Sequence, residues 1–60
     1  MIIEKNDTLV IKWGIEILEV KMYTTKVVDK TSRIKVMLPD DITPKTIHMK
    51  NVVAINGVER

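Results

Sequence analysis

The fold is decided by residues 18–39, which read LEVKMYTTKVVDKTSRIKVMLP. Two runs rich in β-branched residues are joined at residues 29–31, and branched side chains pack well on a pleated sheet but are stiff in a helix. The Asp29 side chain can bond the backbone two residues further on, which suits a short turn. The second run ends at Pro39, which has no N–H to donate to a neighbouring strand. The stretch therefore predicts a long central β-hairpin over residues 18–39.

Alternation in the second arm predicts which of its side chains face the core. We expect Ile34, Val36 and Leu38 to point inward, and the residues between them to point outward: Arg33, Lys35 and Met37. The register of the hairpin stays open. A three-residue loop would pair Met22 with Leu38, whereas a two- or four-residue loop would pair Tyr23 with Leu38.

Upstream of the hairpin, apolar residues occupy the odd positions: Leu9, Ile11, Trp13, Ile15 and Ile17. This period predicts a half-buried strand with Trp13 in the core. Gly14 marks a bend, a bulge or a break into two strands. Because the apolar positions become even from Leu18 onward, we place a β-bulge near residues 17–18, which would restore the inward face. A glycine and a bulge in one strand are typical of a sheet that curls into a small barrel.

After the hairpin, residues 39–44 are typical of a tight turn or a single 3₁₀ turn. Odd positions are then again expected to face inward: Ile47, Met49, Val53 and Ile55. The pair Asn56-Gly57 is a strong hairpin signal, since both residues tolerate positive φ. We expect one all-β domain, residues 1–60, with about five short antiparallel strands in a curled sheet, an open barrel or a sandwich.

Size and composition restrict the class of protein. A chain of sixty residues buries only about 60% of the surface that its unfolded form exposes, so its stability margin is thin. The chain has no cysteine, which excludes disulfides and cysteine-based zinc sites, so self-association or an unusually well-made small core remains as the remedy. The N-terminal residues lack a signal-peptide pattern, and no apolar run approaches the roughly 20 residues of a membrane span. We expect a soluble, cytoplasmic protein without membrane contact.

No motif for catalysis, metal binding or cofactor binding is present. His48, with Asp40 and Asp41, lacks the ligand spacing of a metal site, and the two carboxylates are ordinary turn residues. Ser32 has no histidine near it in sequence, and a nucleophile needs both a base and an oxyanion hole. We therefore expect a protein that is not an enzyme and has no catalytic residues, cofactor or metal.

Positive charge is concentrated on the central hairpin. The whole chain has net charge +2, but residues 20–37 hold five cations against Asp29, which gives +4. The cations are Lys21, Lys26, Lys30, Arg33 and Lys35. Cations in such a set can neutralise phosphates, which is the main source of nucleic-acid affinity. Alternatively, lysines on exposed strands keep them soluble and block pairing of strand edges.

Residues 28–34, followed by Leu38-Pro39, resemble the swapped-hairpin AbrB-type DNA-binding module. In that family an Asp, a Gly-Arg pair, alternating apolar residues and a Pro open the half that contacts DNA, which implies DNA binding near Arg33. Two departures stand out: Ser32 occupies the position of the family's glycine, and the interval from Arg33 to Pro39 is two residues longer.

Our principal expectation is a protein-binding module that acts by stoichiometric interaction and forms a homodimer. Exposed strand edges and surplus apolar side chains would let two copies pair, or let one copy extend a partner's sheet. We expect the partner to contact Lys21, Arg33, Lys35 and Met37. Small cysteine-free proteins of this kind are common among phage and mobile-element inhibitors of host proteins, including defence proteins. The alternative is a small basic nucleic-acid-binding protein that uses the five cations of the hairpin.

Overall fold

The computed structural model describes all residues 1–60, and they form eight strands and one 3₁₀ helix. In chain order these are β1 (Ile2–Ile3), β2 (Thr8–Trp13), β3 (Glu16–Met22), β4 (Lys26–Val27), β5 (Arg33–Met37), β6 (Lys45–His48), η1 (Met49–Asn51), β7 (Val52–Ile55) and β8 (Val58–Glu59). Only five strands are longer than two residues, and all pairings are antiparallel. The prediction of a small all-β domain is confirmed. No helix is long and apolar enough to cross a membrane.

A two-residue turn at Gly14-Ile15 joins β2 to β3, with Trp13 opposite Glu16. Gly14 has φ +64°, and a positive φ at the first linking residue is what a type II′ turn requires. The turn explains the change of apolar parity, because it pairs odd positions of β2 with even positions of β3. The ladder runs without a break from Thr8 to Trp13, so the bulge expected near residues 17–18 is absent. The register shift lies instead between Val10 and Ile11, where β2 meets β7.

The tip of this β2–β3 hairpin extends beyond its neighbours. β7 pairs with β2 only as far as Ile11, and β5 pairs with β3 only near Met22. Trp13 is therefore 36% exposed rather than a core residue, which corrects the prediction. Ile15 lies in the turn itself, and Ile17, opposite Lys12, lies on the outer face of β3, so neither is a core residue.

Strands β3 and β5 pair as the central hairpin predicts, but in a different register. Met22 lies opposite Val36, so neither short loop that would bring Leu38 opposite Met22 or Tyr23 is observed. The connection contains ten residues, 23–32, and includes strand β4. The pairing of β1 with β4 continues the register of the β2–β3 hairpin. Ile3 lies opposite Lys26, and Thr8 lies opposite Lys21, five positions further along one segment and five positions back along the other.

The main sheet has the strand order β6-β5-β3-β2-β7-β8. β6 is at one edge and β7 is near the other, yet only the three residues of η1 connect them, so the sheet must curl around one core. The core is wholly aliphatic and contains Ile3, Leu9, Ile11, Val20, Met22, Val28, Ile34, Val36, Ile47, Met49 and Val52.

After η1, the residues that face the core are not the ones predicted. Val52 and Ala54 are buried, whereas Val53 and Ile55, which the sequence suggested as inward-facing, are half-buried. The Asn56-Gly57 hairpin is confirmed: both residues have positive φ, +49° and +83°, as a type I′ turn requires. The amide oxygen of Asn56 also accepts a hydrogen bond from the Thr8 N–H at 2.9 Å, which ties this turn to β2.

Candidate functional site

The most distinctive surface feature is a gap beside the first half of β5. Tyr23 donates its N–H to the Lys35 carbonyl oxygen at 3.0 Å, and beyond this bond the chain leaves β5 to pair with β1. Alternate residues of a strand direct their backbone groups to the same side, so the carbonyl of Arg33 faces the gap. The Lys26 ammonium crosses the gap and donates to that carbonyl oxygen at 2.5 Å. A side chain thus holds the two segments together where the backbone ladder ends.

The gap forms an open pocket of about 350 Å³. Its seven lining residues come from the long connection, from β5 and from the edge strand β6: Tyr23, Thr24, Lys26, Arg33, Ile34, Lys35 and Thr46. Three of the seven are cations, three carry hydroxyl groups, and none is a carboxylate. This is the only pocket of the fold, and it combines charge with hydrogen-bond donors.

The three cations of the pocket have no ionic partner in the molecule. The one salt bridge, at 3.3 Å, joins Lys45 to Asp41. Arg33 and Lys35 alternate on one strand, so their Cβ atoms lie roughly 7 Å apart. No carboxylate among the lining residues offsets their like charges. The pocket is therefore a region of positive potential that an anion would relieve.

The residues that we expected to contact a partner lie on the outer face of β3 and β5. Arg33, Lys35 and Met37 alternate along β5, and Lys21 lies directly opposite Met37. Met37 is half-buried rather than fully outward. The Lys21 ammonium donates to the Thr8 hydroxyl at 2.5 Å. The structure thus groups all four residues, but the end of the group near Arg33 is basic and the end near Met37 is partly apolar.

The five cations proposed for nucleic-acid contact divide into two groups. Lys26, Arg33 and Lys35 line the pocket, while Lys21 is further along the same face and Lys30 lies at the exposed turn of residues 29–32. Sequence analysis did not select Tyr23, Thr24 or Thr46. Tyr23 was one of only two aromatic residues, which is a usable signal, but nothing in the sequence placed Thr46 beside Lys35.

Two aspartates organise the turns on either side of β5. The Thr31 hydroxyl and N–H donate to Asp29 Oδ1 at 2.6 and 2.8 Å, and these bonds lower the pKa of Asp29 below its ordinary value of 3.8. The Thr43 N–H and hydroxyl donate to Asp41 Oδ1 and likewise lower the pKa of Asp41. Both carboxylates are engaged in turn chemistry of the kind that the sequence indicated.

His48 caps η1 and does not belong to a metal cluster. Its Nδ1 accepts a hydrogen bond from the Lys50 N–H at 3.1 Å, and the residue is half-buried. No group of three or more His, Asp or Glu side chains is placed to hold a metal ion.

Apolar side chains are exposed at two ends of the molecule. At the tip of the β2–β3 hairpin, Trp13, Ile15 and Ile17 are 36%, 104% and 62% exposed. At the β1–β4 end, Ile2 and Val27 lie directly opposite each other and are 62% and 71% exposed. These clusters are distinct from the basic pocket, which is lined mostly by polar residues.

No family model matches the chain, and neither the curated proteins nor the solved structures contain a significant match. Residues 28–34, which carry the resemblance to the AbrB-type module, form the end of the long connection and the start of β5.

Proposed function

We propose that the chain is a small non-enzymatic binding module that acts by stoichiometric interaction with a protein partner and forms a homodimer. The observation that carries this proposal is the exposed apolar tip of the β2–β3 hairpin. Exposed clusters of large apolar side chains on a small protein are typical of interaction surfaces. A core of only eleven residues also leaves the isolated chain a thin stability margin, which association would increase.

The outer face of the β2–β3 hairpin carries charges of both signs, as a contact between two identical surfaces needs. Lys12 lies opposite Ile17 and shares this face with it, and Glu19, opposite Val10, lies on the same face. In a two-fold contact between these faces, Lys12 of one copy can approach Glu19 of the other while the Ile17 side chains are buried between them.

The test is the mass in solution, measured by light scattering on a sizing column at low and high salt. We expect a dimer that persists in high salt, because burial of apolar surface does not depend on ionic attraction. The double substitution Ile15→Asp, Ile17→Asp should give a folded monomer. Ile42→Asp is the matched control, since Ile42 is 93% exposed and lies far along the chain in the β5–β6 connection. A wild-type monomer at all concentrations would refute the dimer.

The protein partner is assigned to the outer face that carries Lys21, Arg33, Lys35 and Met37. Met37→Glu should weaken partner binding while the thermal transition stays two-state and the mass in solution is unchanged. Val58→Glu is the control, because Val58 is 70% exposed on β8. Equal partner affinity for the two variants would remove this assignment. The role that we attach to the module is inhibition of a host defence protein, tested by phage plating on defended cells that express either wild type or Met37→Glu.

A second candidate, nucleic-acid binding, is favoured by one specific observation: three unpaired cations surround the only pocket. Phosphate contacts would make the affinity for duplex DNA fall steeply between about 50 and about 200 mM salt. Arg33→Glu with Lys35→Glu should abolish such binding, whereas a predominantly apolar protein interface should be affected less. Binding that does not change with salt would contradict this candidate.

A further inference from the structure

We propose that the pocket between residues 23–26 and β5 binds the phosphate group of a nucleotide, with the base against the ring of Tyr23. The site does not depend on the protein partner. The proposal rests on the second candidate function, nucleic-acid binding, and names a single nucleotide as the smallest ligand that the pocket binds.

Charge is the first reason for a phosphate. The pocket brings together Lys26, Arg33 and Lys35, and none of them has a carboxylate partner. A phosphate monoester carries a charge of about −1.5 to −2 at neutral pH and three strong acceptor oxygens, so it can engage three cations at once. A single carboxylate carries a charge of about −1 and has only two oxygens, so it would leave one of the three cations without a partner.

Preorganisation is the second reason. The Lys26 ammonium is already held in the gap by the Arg33 carbonyl oxygen, and it keeps two further N–H donors for a ligand. Thr46 lies directly opposite Lys35 on β6, which places a hydroxyl donor beside that ammonium. Less side-chain entropy is lost on binding when a donor is held in position beforehand.

The size of the pocket and its single aromatic residue are the third reason. A volume of about 350 Å³ lies at the small end of the roughly 300–1,000 Å³ range of ligand sites, which suits one nucleotide. Tyr23 is 42% exposed, and its backbone is fixed by the bond to Lys35. Bases stack on such rings without strong sequence preference.

The experiment compares AMP, adenosine and inorganic phosphate by titration, followed through backbone amide NMR signals. We expect AMP to bind at least about tenfold more tightly than either fragment, because charge and stacking act together. The signals that move should belong to residues 23–26, 33–35 and 46. Equal affinity for AMP and phosphate would overturn the nucleotide assignment, and equal affinity for AMP and adenosine would overturn the phosphate assignment.

Matched variants separate the pocket from general charge. Lys26→Gln with Arg33→Gln and Lys35→Gln should lower AMP affinity at least about tenfold. The control is Lys5→Gln with Lys12→Gln and Lys50→Gln, which removes the same charge from exposed positions outside the pocket. Equal losses in the two triple variants would overturn the site. Tyr23→Leu should reduce binding of AMP but not of phosphate.

A ten-nucleotide single strand distinguishes this proposal from the wider nucleic-acid candidate. If AMP binds in the pocket and the oligonucleotide binds no more tightly than AMP, the nucleotide-pocket proposal is supported and the proposal of nucleic-acid binding fails. If the strand binds but the pocket variants do not weaken it, the pocket proposal fails and the candidate survives. If both bind and both are weakened by the pocket variants, the strand uses the same phosphate site.

Discussion

The β2–β3 connection and the β3–β5 connection both join neighbouring antiparallel strands, but they are built in opposite ways. The first is the two-residue turn at Gly14-Ile15, which depends only on local backbone geometry. The second contains ten residues and is held by strand β1, more than twenty residues upstream. Apolar side chains surround the first connection, whereas the second forms one wall of the basic pocket.

The difference between the two connections shows how the early end of the β3–β5 hydrogen-bond ladder creates the pocket. A tight turn lets hydrogen bonds continue to the end of both strands, so no polar gap remains between them. The long connection leaves β5 after Tyr23, and the carbonyl of Arg33 is then satisfied by the Lys26 ammonium instead of a strand. Backbone groups must find partners, and here the partner is a charged side chain that also faces solvent.

The largest effect should come from removing the anchor of the long connection. Ile3 is fully buried, and β1 is the only strand that pairs with β4. Ile3→Ala should lower the free energy of unfolding by about 2–5 kcal/mol, measured by urea denaturation. That is a large part of the roughly 3–9 kcal/mol expected for a chain of this length. Ile2→Ala, at a 62% exposed position, is the control and should cost less than about 0.5 kcal/mol. Similar losses for both would show that β1 does not anchor the connection.

The tight turn should give a smaller effect of purely conformational origin. A Cβ at Gly14 would meet no atom within 4 Å, so Gly14→Ala creates no clash. Its cost is that of an L-residue at φ +64°, about 1–2 kcal/mol in thermal or urea unfolding. Ile15→Ala tests whether the turn depends on its second residue, and it should be almost neutral in the free energy of unfolding. A neutral Gly14→Ala would mean that the turn adopts another geometry.

The Lys26 side chain, which bridges the gap, should contribute less to the free energy of unfolding than Ile3 or the turn at Gly14. Lys26→Met keeps much of the aliphatic stem but removes the donor to the Arg33 carbonyl, so we expect a loss of about 0.5–1.5 kcal/mol in unfolding free energy. Lys30→Met is the control, because the Lys30 ammonium donates no hydrogen bond and forms no salt bridge. If the two variants unfold alike, the Lys26 bond does not support the connection.

The smallest effect concerns the aspartate turns and depends on pH. The pKa values of Asp29 and Asp41 are lowered in the folded protein by the hydrogen bonds from Thr31 and Thr43. Their stabilisation is therefore fully present above the ordinary value of 3.8, and it is lost as the pH falls through the lowered folded values. We expect the midpoint of thermal unfolding to fall between neutral pH and pH about 2. The fall should be smaller in the double variant Asp29→Asn, Asp41→Asn, which has neither carboxylate. A double variant that loses as much stability as the wild type over this pH range would contradict the assignment.

The predictable parts of the fold are those with a local cause. Of the predicted inward residues of the second arm, Ile34 and Val36 are buried and Leu38 is partly buried against the core, as a period of two indicates. The turn at Asn56-Gly57 follows from two residues that tolerate positive φ. The basic character of β5 is also visible, because Arg33 and Lys35 alternate with buried residues. The change of apolar parity at Leu18 predicts a bulge near residues 17–18 only if residues 9–22 form one strand. The turn at Gly14-Ile15 divides them into two strands, so the prediction of a bulge is wrong.

The sequence by itself determined an all-β chain, the buried positions Ile34 and Val36, the turn at Asn56-Gly57 and the cations of the central hairpin, since each depends on residues near one another in the chain. Only the tertiary structure decided that β1 captures residues 26–27, because that pairing joins distant segments and no local rule selects the partner. From that pairing follow the register of Met22 with Val36, the gap beside Arg33 and the position of Tyr23. The pocket exists because the pairing of β4 with the distant strand β1 prevents residues 26–27 from pairing with β5.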